Sequence, residues 1–250
     1  MNKSAVMSHF SKIIDNMIDN SLFFNMYFQT MDNIEDVYGS CDDEAVPENI
    51  NIHFGATRGC IVDDYYDYVV KFDITGEYMG SSCCDRECEI YARAKELNLD
   101  NYFAEVEFLG FYTRTIMFYD AFSIARNMDD CYYYDKNFDE EFIKYEDRFG
   151  DIHPITISIP LYGYRKASAH WDSCSREESK KYEQTVKSIS SPMYERNLSV
   201  AVDFVREYGV EAYYTLTDFM YEEDINDLHG GNIGDIDGKM CFIDYSGFHE

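Results

Sequence analysis

The side chains best placed to do chemistry lie between residues 225 and 247. Asp227 and Asn232 stand five residues apart, separated by Leu228-His229-Gly230-Gly231, and Asp244 follows Asn232 by twelve. Asp237-Gly238 is a strong turn pair, so residues 235–243 are expected to fold back as a hairpin. A hairpin brings its two ends together. Asn232 enters it and Asp244 leaves it, so an amide oxygen and a carboxylate converge. Two hard oxygen ligands on one edge suit Mg2+, which takes one or two carboxylates and completes its shell with substrate phosphates and water. Asp227, on a glycine-containing loop, can bend toward the same point, where a carboxylate could accept a proton from an attacking hydroxyl. The plainer reading is a polar turn joined to a hairpin stem, because Asx and glycine clusters are common in turns.

The rest of the chain supplies elements that could position this group. Residues 50–54 alternate as a strand does, and residues 60–62 and 68–72 give two more short antiparallel strands, with a turn at Asp63-Asp64. Gly55-Ala56-Thr57-Arg58-Gly59 forms a glycine-bounded loop between the first two, and Lys71 ends the third. Residues 83–98 read as a helix with Glu87, Tyr91, Ala94 and Leu97 on one face and Ile90 beside it. Four and seven residues on from Glu87 come Tyr91 and Ala94, which are apolar; the same steps from Glu89 reach Arg93 and Glu96, which favour water. Glu87 is therefore expected to point inward. Cys83, Cys84 and Cys88 fit one turn of this helix as packing residues.

Strand character returns over 103–111 and 155–164, on either side of an acidic, aromatic insertion at about 113–153. A helix is expected over 193–208, with Leu198, Ala201, Val202, Val205 and Tyr208 on its apolar face and Gly209 at its C-terminal cap. Residues 5–30 suggest one or two further helices, followed by an acidic loop over 32–50.

Asp-x-x-x-x-Asn, followed at the end of an apolar strand by Asp, resembles the catalytic loop and metal-binding motif of the protein-kinase-like superfamily. The Asp-Leu-His-Gly-Gly-Asn wording is closer to aminoglycoside and choline phosphotransferases, and to divergent bacterial or phage kinases, than to eukaryotic protein kinases. The resemblance implies roles for upstream residues in family order. Gly55, Ala56, Thr57, Arg58 and Gly59 would be a reduced glycine-rich loop over the phosphates. Lys71 would hold the α- and β-phosphates, with Glu87 as its helix-borne partner. Asp227 would act on the acceptor hydroxyl, His229 would lie near phosphate or brace the loop, and Asn232 and Asp244 would hold the metal.

Several positions depart from that pattern. The loop has two glycines rather than three, Ile225-Asn226 stands where protein kinases have His-Arg, and the metal motif reads Asp244-Tyr245-Ser246. Only six residues follow Asp244, a truncation like that of RIO-type and minimal effector kinases. The implied fold is bilobal α+β. A helical extension (1–49) would precede a small antiparallel-sheet lobe (50–165) and a shortened, mostly helical large lobe (166–250), with the hinge near 162–166.

Composition narrows the partners. The sum of 21 Lys and Arg against 48 Asp and Glu gives a net charge of −27, a field that repels nucleic-acid backbones and attracts basic protein surfaces. Eight cysteines lack zinc-type spacing and are too sparse for a secreted disulfide scaffold. No apolar run spans a membrane and no signal-type segment opens the chain, so a reduced cytoplasmic protein is expected. The implied activity is ATP- and Mg2+-dependent phosphotransfer to a hydroxyl, in the first instance that of a minimal Ser/Thr protein kinase. A pseudokinase scaffold and a small-molecule kinase of the aminoglycoside or choline type are the alternatives.

Overall fold

The computed structural model describes residues 2–19, 47–54, 58–73, 82–118, 153–170 and 176–246. The fold class is α+β, and the chain divides into two compact units, Met1–Ser82 with Phe108–Gly163 and Cys83–Glu107 with Tyr164–Glu250.

The first unit is built on a five-stranded antiparallel sheet in the order β1-β2-β3-β5-β4. Its strands are β1 (Ile50–Phe54), β2 (Arg58–Asp63), β3 (Tyr68–Asp73), β4 (Val106–Phe118) and β5 (His153–Arg165). The three expected N-terminal strands are present, each within two residues of its expected bounds. Strand β4 runs on to Phe118, six residues into the stretch expected to be an insertion; a Thr113–Ser158 contact at 3.5 Å and a Thr115–Thr156 hydrogen bond at 3.0 Å join it to β5. The Tyr132–Tyr134 tract lies outside the described residues.

Helix α1 (Lys3–Asp19) covers one face of this sheet. Its buried stripe is Val6, Phe10 and Ile14, spaced by four as an amphipathic helix requires, and it packs with Ile61, Val70, Phe72, Tyr112, Ile159 and Leu161. Polar contacts fix the seat. His9 Nε2 lies 2.7 Å from Asp63 Oδ2, and the His9 ring stacks on Tyr66 at 4.5 Å. Burial opposes ionisation of Asp63, but bonds from the Tyr65 N–H, Asn49 and His9 outweigh it and hold the carboxyl below its ordinary value. The Tyr112 hydroxyl donates to Asp15 at 2.6 Å. Since neighbours alternate across a strand, Lys71 lies on the opposite sheet face from Val70 and Phe72, and so from α1.

The second unit contains α2 (Cys83–Glu96), α3 (Arg176–Lys187), α4 (Pro192–Arg196), α5 (Leu198–Tyr208) and α6 (Val210–Glu222). It also has a three-stranded sheet of β6 (Ser168–Ala169), β7 (Ile233–Ile236) and β8 (Lys239–Phe242). The single helix expected over 193–208 is two helices. Asn197 adopts an extended backbone, and its side chain accepts from Ser199 N and Val200 N at 3.2 and 3.4 Å, which caps α5 and separates it from α4. Gly209, at φ 87°, ends α5 and opens α6. On α2 the buried residues are Cys84, Glu87, Ile90 and Ala94, while Leu97 is 51% exposed. The inward face is thus centred on Ile90 and Glu87 rather than on Tyr91 and Leu97.

Aromatic rings hold the centre of this unit. Phe103 meets Phe219, Phe242 and Tyr245 with centroids 5.7, 5.7 and 4.9 Å apart. Among the described residues no helix is long and apolar enough to cross a membrane. The described cysteines Cys60, Cys83, Cys84, Cys88 and Cys241 are not in disulfides.

Candidate active site

The hairpin forms as its turn chemistry dictates. Asp237 and Gly238 both take positive φ, 54° and 74°, the pair that a two-residue turn needs to match strand twist. Ile236 then faces Lys239 and Ile233 faces Phe242. The ladder continues one step beyond the strands, because Ile243 N donates to Asn232 O at 2.9 Å. Asn232 therefore sits opposite the residue before Asp244. Close packing fixes the stem as well: a Cβ on Gly234 would lie 2.7 Å from the Ala167 Cβ and 3.0 Å from Ser168 O, so only glycine lets β6 approach β7.

The loop ahead of the hairpin is pinned by alternating burial. Ile225 and Leu228 are 0% and 1% exposed, whereas the Asp227 side chain keeps 24% of its surface. Asn232, 5% exposed, donates from Nδ2 to Asp227 O at 2.8 Å and to Asp227 Oδ2 at 3.1 Å. With its nitrogen so engaged, the amide oxygen is the atom that Asn232 could offer a cation. His229 caps the short 3-10 turn Gly230–Asn232, its Nδ1 accepting from Gly231 N at 3.0 Å. An accepting Nδ1 places the neutral ring's proton on Nε2, which lies 3.9 Å from Asp227 Oδ2.

Glu87, 0% exposed, meets the other side of the motif. Its Oε1 accepts from Tyr245 N at 2.7 Å and from Ser246 N at 3.2 Å, and its Oε2 accepts from the Tyr164 hydroxyl at 2.6 Å. Tyr245 is anchored in turn by its hydroxyl, which donates to Ala104 O at 3.0 Å. The backbone on the C-terminal side of Asp244 is thus held by the helix-borne carboxylate that the sequence favours over Glu89; the Glu89 side chain is 74% exposed.

The second unit accordingly brings Asp227, His229 and Asn232 together on one loop, sets Asp244 beside the hairpin base and ties Glu87 to the segment after it. Lys71 belongs to the first unit, half-buried in β3 opposite Cys60 of β2. Arg58 and Gly59 are the first residues of β2, Gly59 pairing with Phe54, so the expected loop narrows to three residues. Those three, Gly55, Ala56 and Thr57, lie outside the described residues.

Among the described residues no group of three or more His, Cys, Asp or Glu side chains is arranged to hold a metal ion. The amide oxygen of Asn232 and the carboxylate of Asp244 are a different kind of set, hard oxygens too few to close a shell alone. That chemistry fits a cation shared with phosphate oxygens.

Two arrangements carry no sequence signal that the loop motifs could reveal. His170 Nδ1 lies 2.6 Å from Asp235 Oδ1, tying the segment after β5 to the hairpin. Arg86 and Arg93 of α2 converge on Glu223 at the end of α6. Neither a family model nor a curated protein matches this chain.

Proposed function

We propose that the protein is a phosphotransferase of kinase-like type, moving the γ-phosphoryl group of ATP to a hydroxyl with Mg2+ as cofactor. One observation carries the reading: a bonded Asp227–Asn232 pair stands on the loop leading into a hairpin whose far end delivers Asp244, and the buried Glu87 holds the backbone just beyond. Lys71 on a strand of an antiparallel sheet and Glu87 on a helix each stand on the kind of element that the resemblance implies.

In this mechanism Asn232 bonds Oδ2 of Asp227 and the His229 ring lies 3.9 Å from the same oxygen, leaving Oδ1 as the atom that receives the acceptor's proton. As that proton leaves, the hydroxyl oxygen bonds to the γ-phosphorus and the bond from phosphorus to the bridging oxygen breaks, giving a phosphate ester and ADP. Asn232 and Asp244 would hold Mg2+, which supplies neutralisation of phosphate charge when bound. Lys71 would neutralise the α- and β-phosphates. Phosphoryl transfer asks for positioning and charge stabilisation more than covalent chemistry, and the hydrogen bonds around Asp227 and Asp244 suit that demand.

A protein hydroxyl on a basic partner is the preferred acceptor, because the net charge of −27 draws cationic surfaces. The short β1–β2 connection favours a second reading, a pseudokinase scaffold with weak phosphate coverage. Mass-detected transfer from Mg-ATP to the chain itself and to basic Ser/Thr-containing protein acceptors separates the two. Phosphoserine or phosphothreonine lost in Asp227→Ala supports the enzyme. A nucleotide-induced thermal shift with no transfer supports the scaffold.

A further inference from the structure

We infer that Glu223 is a positioning residue for the Asp227 loop, latched by Arg86 and Arg93 to the same helix whose Glu87 holds the backbone after Asp244. The inference rests on the phosphotransfer reading for its consequence and on the geometry of the second unit for its existence. Glu223 is 5% exposed and caps the C-terminus of α6. Arg86 Nη2 lies 3.1 Å from its Oε2 and donates to its backbone oxygen at 2.9 Å. Arg93 Nη1 lies 2.7 Å from Oε1 without the alignment of a hydrogen bond, so that contact is Coulombic, and Arg93 Nη2 bonds Glu222 at 2.6 Å. Arg86 and Arg93 are seven residues apart, two turns of α2, and so present both guanidinium groups on one side.

The position of the latch gives it leverage. Directly after Glu223 the chain reverses: Asp224 takes φ 50° and Ile225 N bonds back to Met220 O at 2.9 Å, which satisfies a helix-end carbonyl. Only three residues, Asp224, Ile225 and Asn226, then separate Glu223 from Asp227. Helix α2 therefore carries two restraints, Glu87 on the Tyr245 backbone and the arginine pair on the root of the Asp227 loop. A rigid helix held at both points fixes the spacing between the proposed proton acceptor and the proposed metal carboxylate. A buried carboxylate with two cationic partners is also a poor place for tolerance, since removal of either side leaves an uncompensated charge.

The test compares wild type with Glu223→Gln, Arg93→Gln and Arg93→Lys by amide hydrogen exchange and by steady-state transfer kinetics. Exchange needs no activity, so it judges the latch even if the chain transfers no phosphate. In Glu223→Gln, exchange over 225–232 is expected to quicken about tenfold while 233–242 changes little. Turnover should fall at least about tenfold with KM for ATP almost unchanged, and Arg93→Lys should recover most of what Arg93→Gln loses. If Glu223→Gln does not fold, Arg93→Gln, which leaves Arg86 in place, carries the same expectation. Unchanged loop exchange in a folded variant overturns the latch, as does faster exchange spread evenly over the unit. Locally faster exchange in the variant, with a wild type that transfers no phosphate, upholds the latch and overturns the phosphotransfer reading.

Discussion

The carboxylate of Glu87 holds the backbone N–H of Tyr245 at 2.7 Å across 158 residues of chain. This bond joins a helix near the first third of the sequence to the residue directly after Asp244. With the Ser246 N–H and the Tyr164 hydroxyl it gives three donors to one buried acceptor group. Glu87→Ala strands those donors, each at about 1–3 kcal/mol, so urea unfolding should show a loss of roughly 3 kcal/mol or more. Stability within about 1 kcal/mol of wild type would contradict the anchoring role.

Asp227→Ala removes the proposed proton acceptor and one partner of Asn232 Nδ2, but leaves the bond from that nitrogen to the Asp227 backbone oxygen. Turnover is expected to fall by a factor of about a hundred or more with nucleotide affinity nearly unchanged. Single-turnover assays beside nucleotide titration check the split. Equal turnover would remove Asp227 from the chemistry.

Gly234→Ala is expected to destabilise the hairpin by about 1–3 kcal/mol, because its Cβ would press on the Ala167 Cβ and the Ser168 backbone. Gly230→Ala, where a Cβ meets nothing within 4 Å, is the matched control. Thermal melting of the two variants should separate them; equal melting temperatures would contradict the close approach of β6.

Alkaline pH should unfold the protein. Burial pushes the Cys241 thiol from 9.0 up to about 12, and burial with the nearby acids Glu105, Asp100 and Glu107 pushes the Tyr91 hydroxyl up to about 12. Burial likewise raises Tyr112, Tyr208 and Tyr213. The native state keeps protons that the unfolded chain releases, so stability is full below about pH 9 and falls as pH climbs toward 12. Melting temperature measured against pH checks this, and a flat profile up to pH 11 would contradict it.

Local chemistry made the strands of residues 50–73, the inward choice of Glu87 and the Asp237-Gly238 turn legible in advance. Alternation, helical spacing and turn preference each act within a few residues, and each left its mark in composition. The Asn197 break was not legible, because the apolar spacing runs across it and a capping side chain overrides that pattern. The seat of α1 and the Arg86–Glu223 contact, 137 residues apart, depend on tertiary packing that no local window contains. At the candidate site, the pairing of Asn232 with the step before Asp244 followed from the hairpin. The engagement of its Nδ2 by Asp227 and the bracing of the loop by His229 depend on the loop's backbone path, which the residue pattern does not specify.

The most direct measurement is calorimetric titration of ATP into wild type and Asp244→Ala, each with and without Mg2+. Wild-type affinity is expected to rise at least about tenfold with Mg2+, and in Asp244→Ala that dependence is expected to be gone. Binding that ignores Mg2+ in both proteins, or no binding in either, would contradict the phosphotransfer reading.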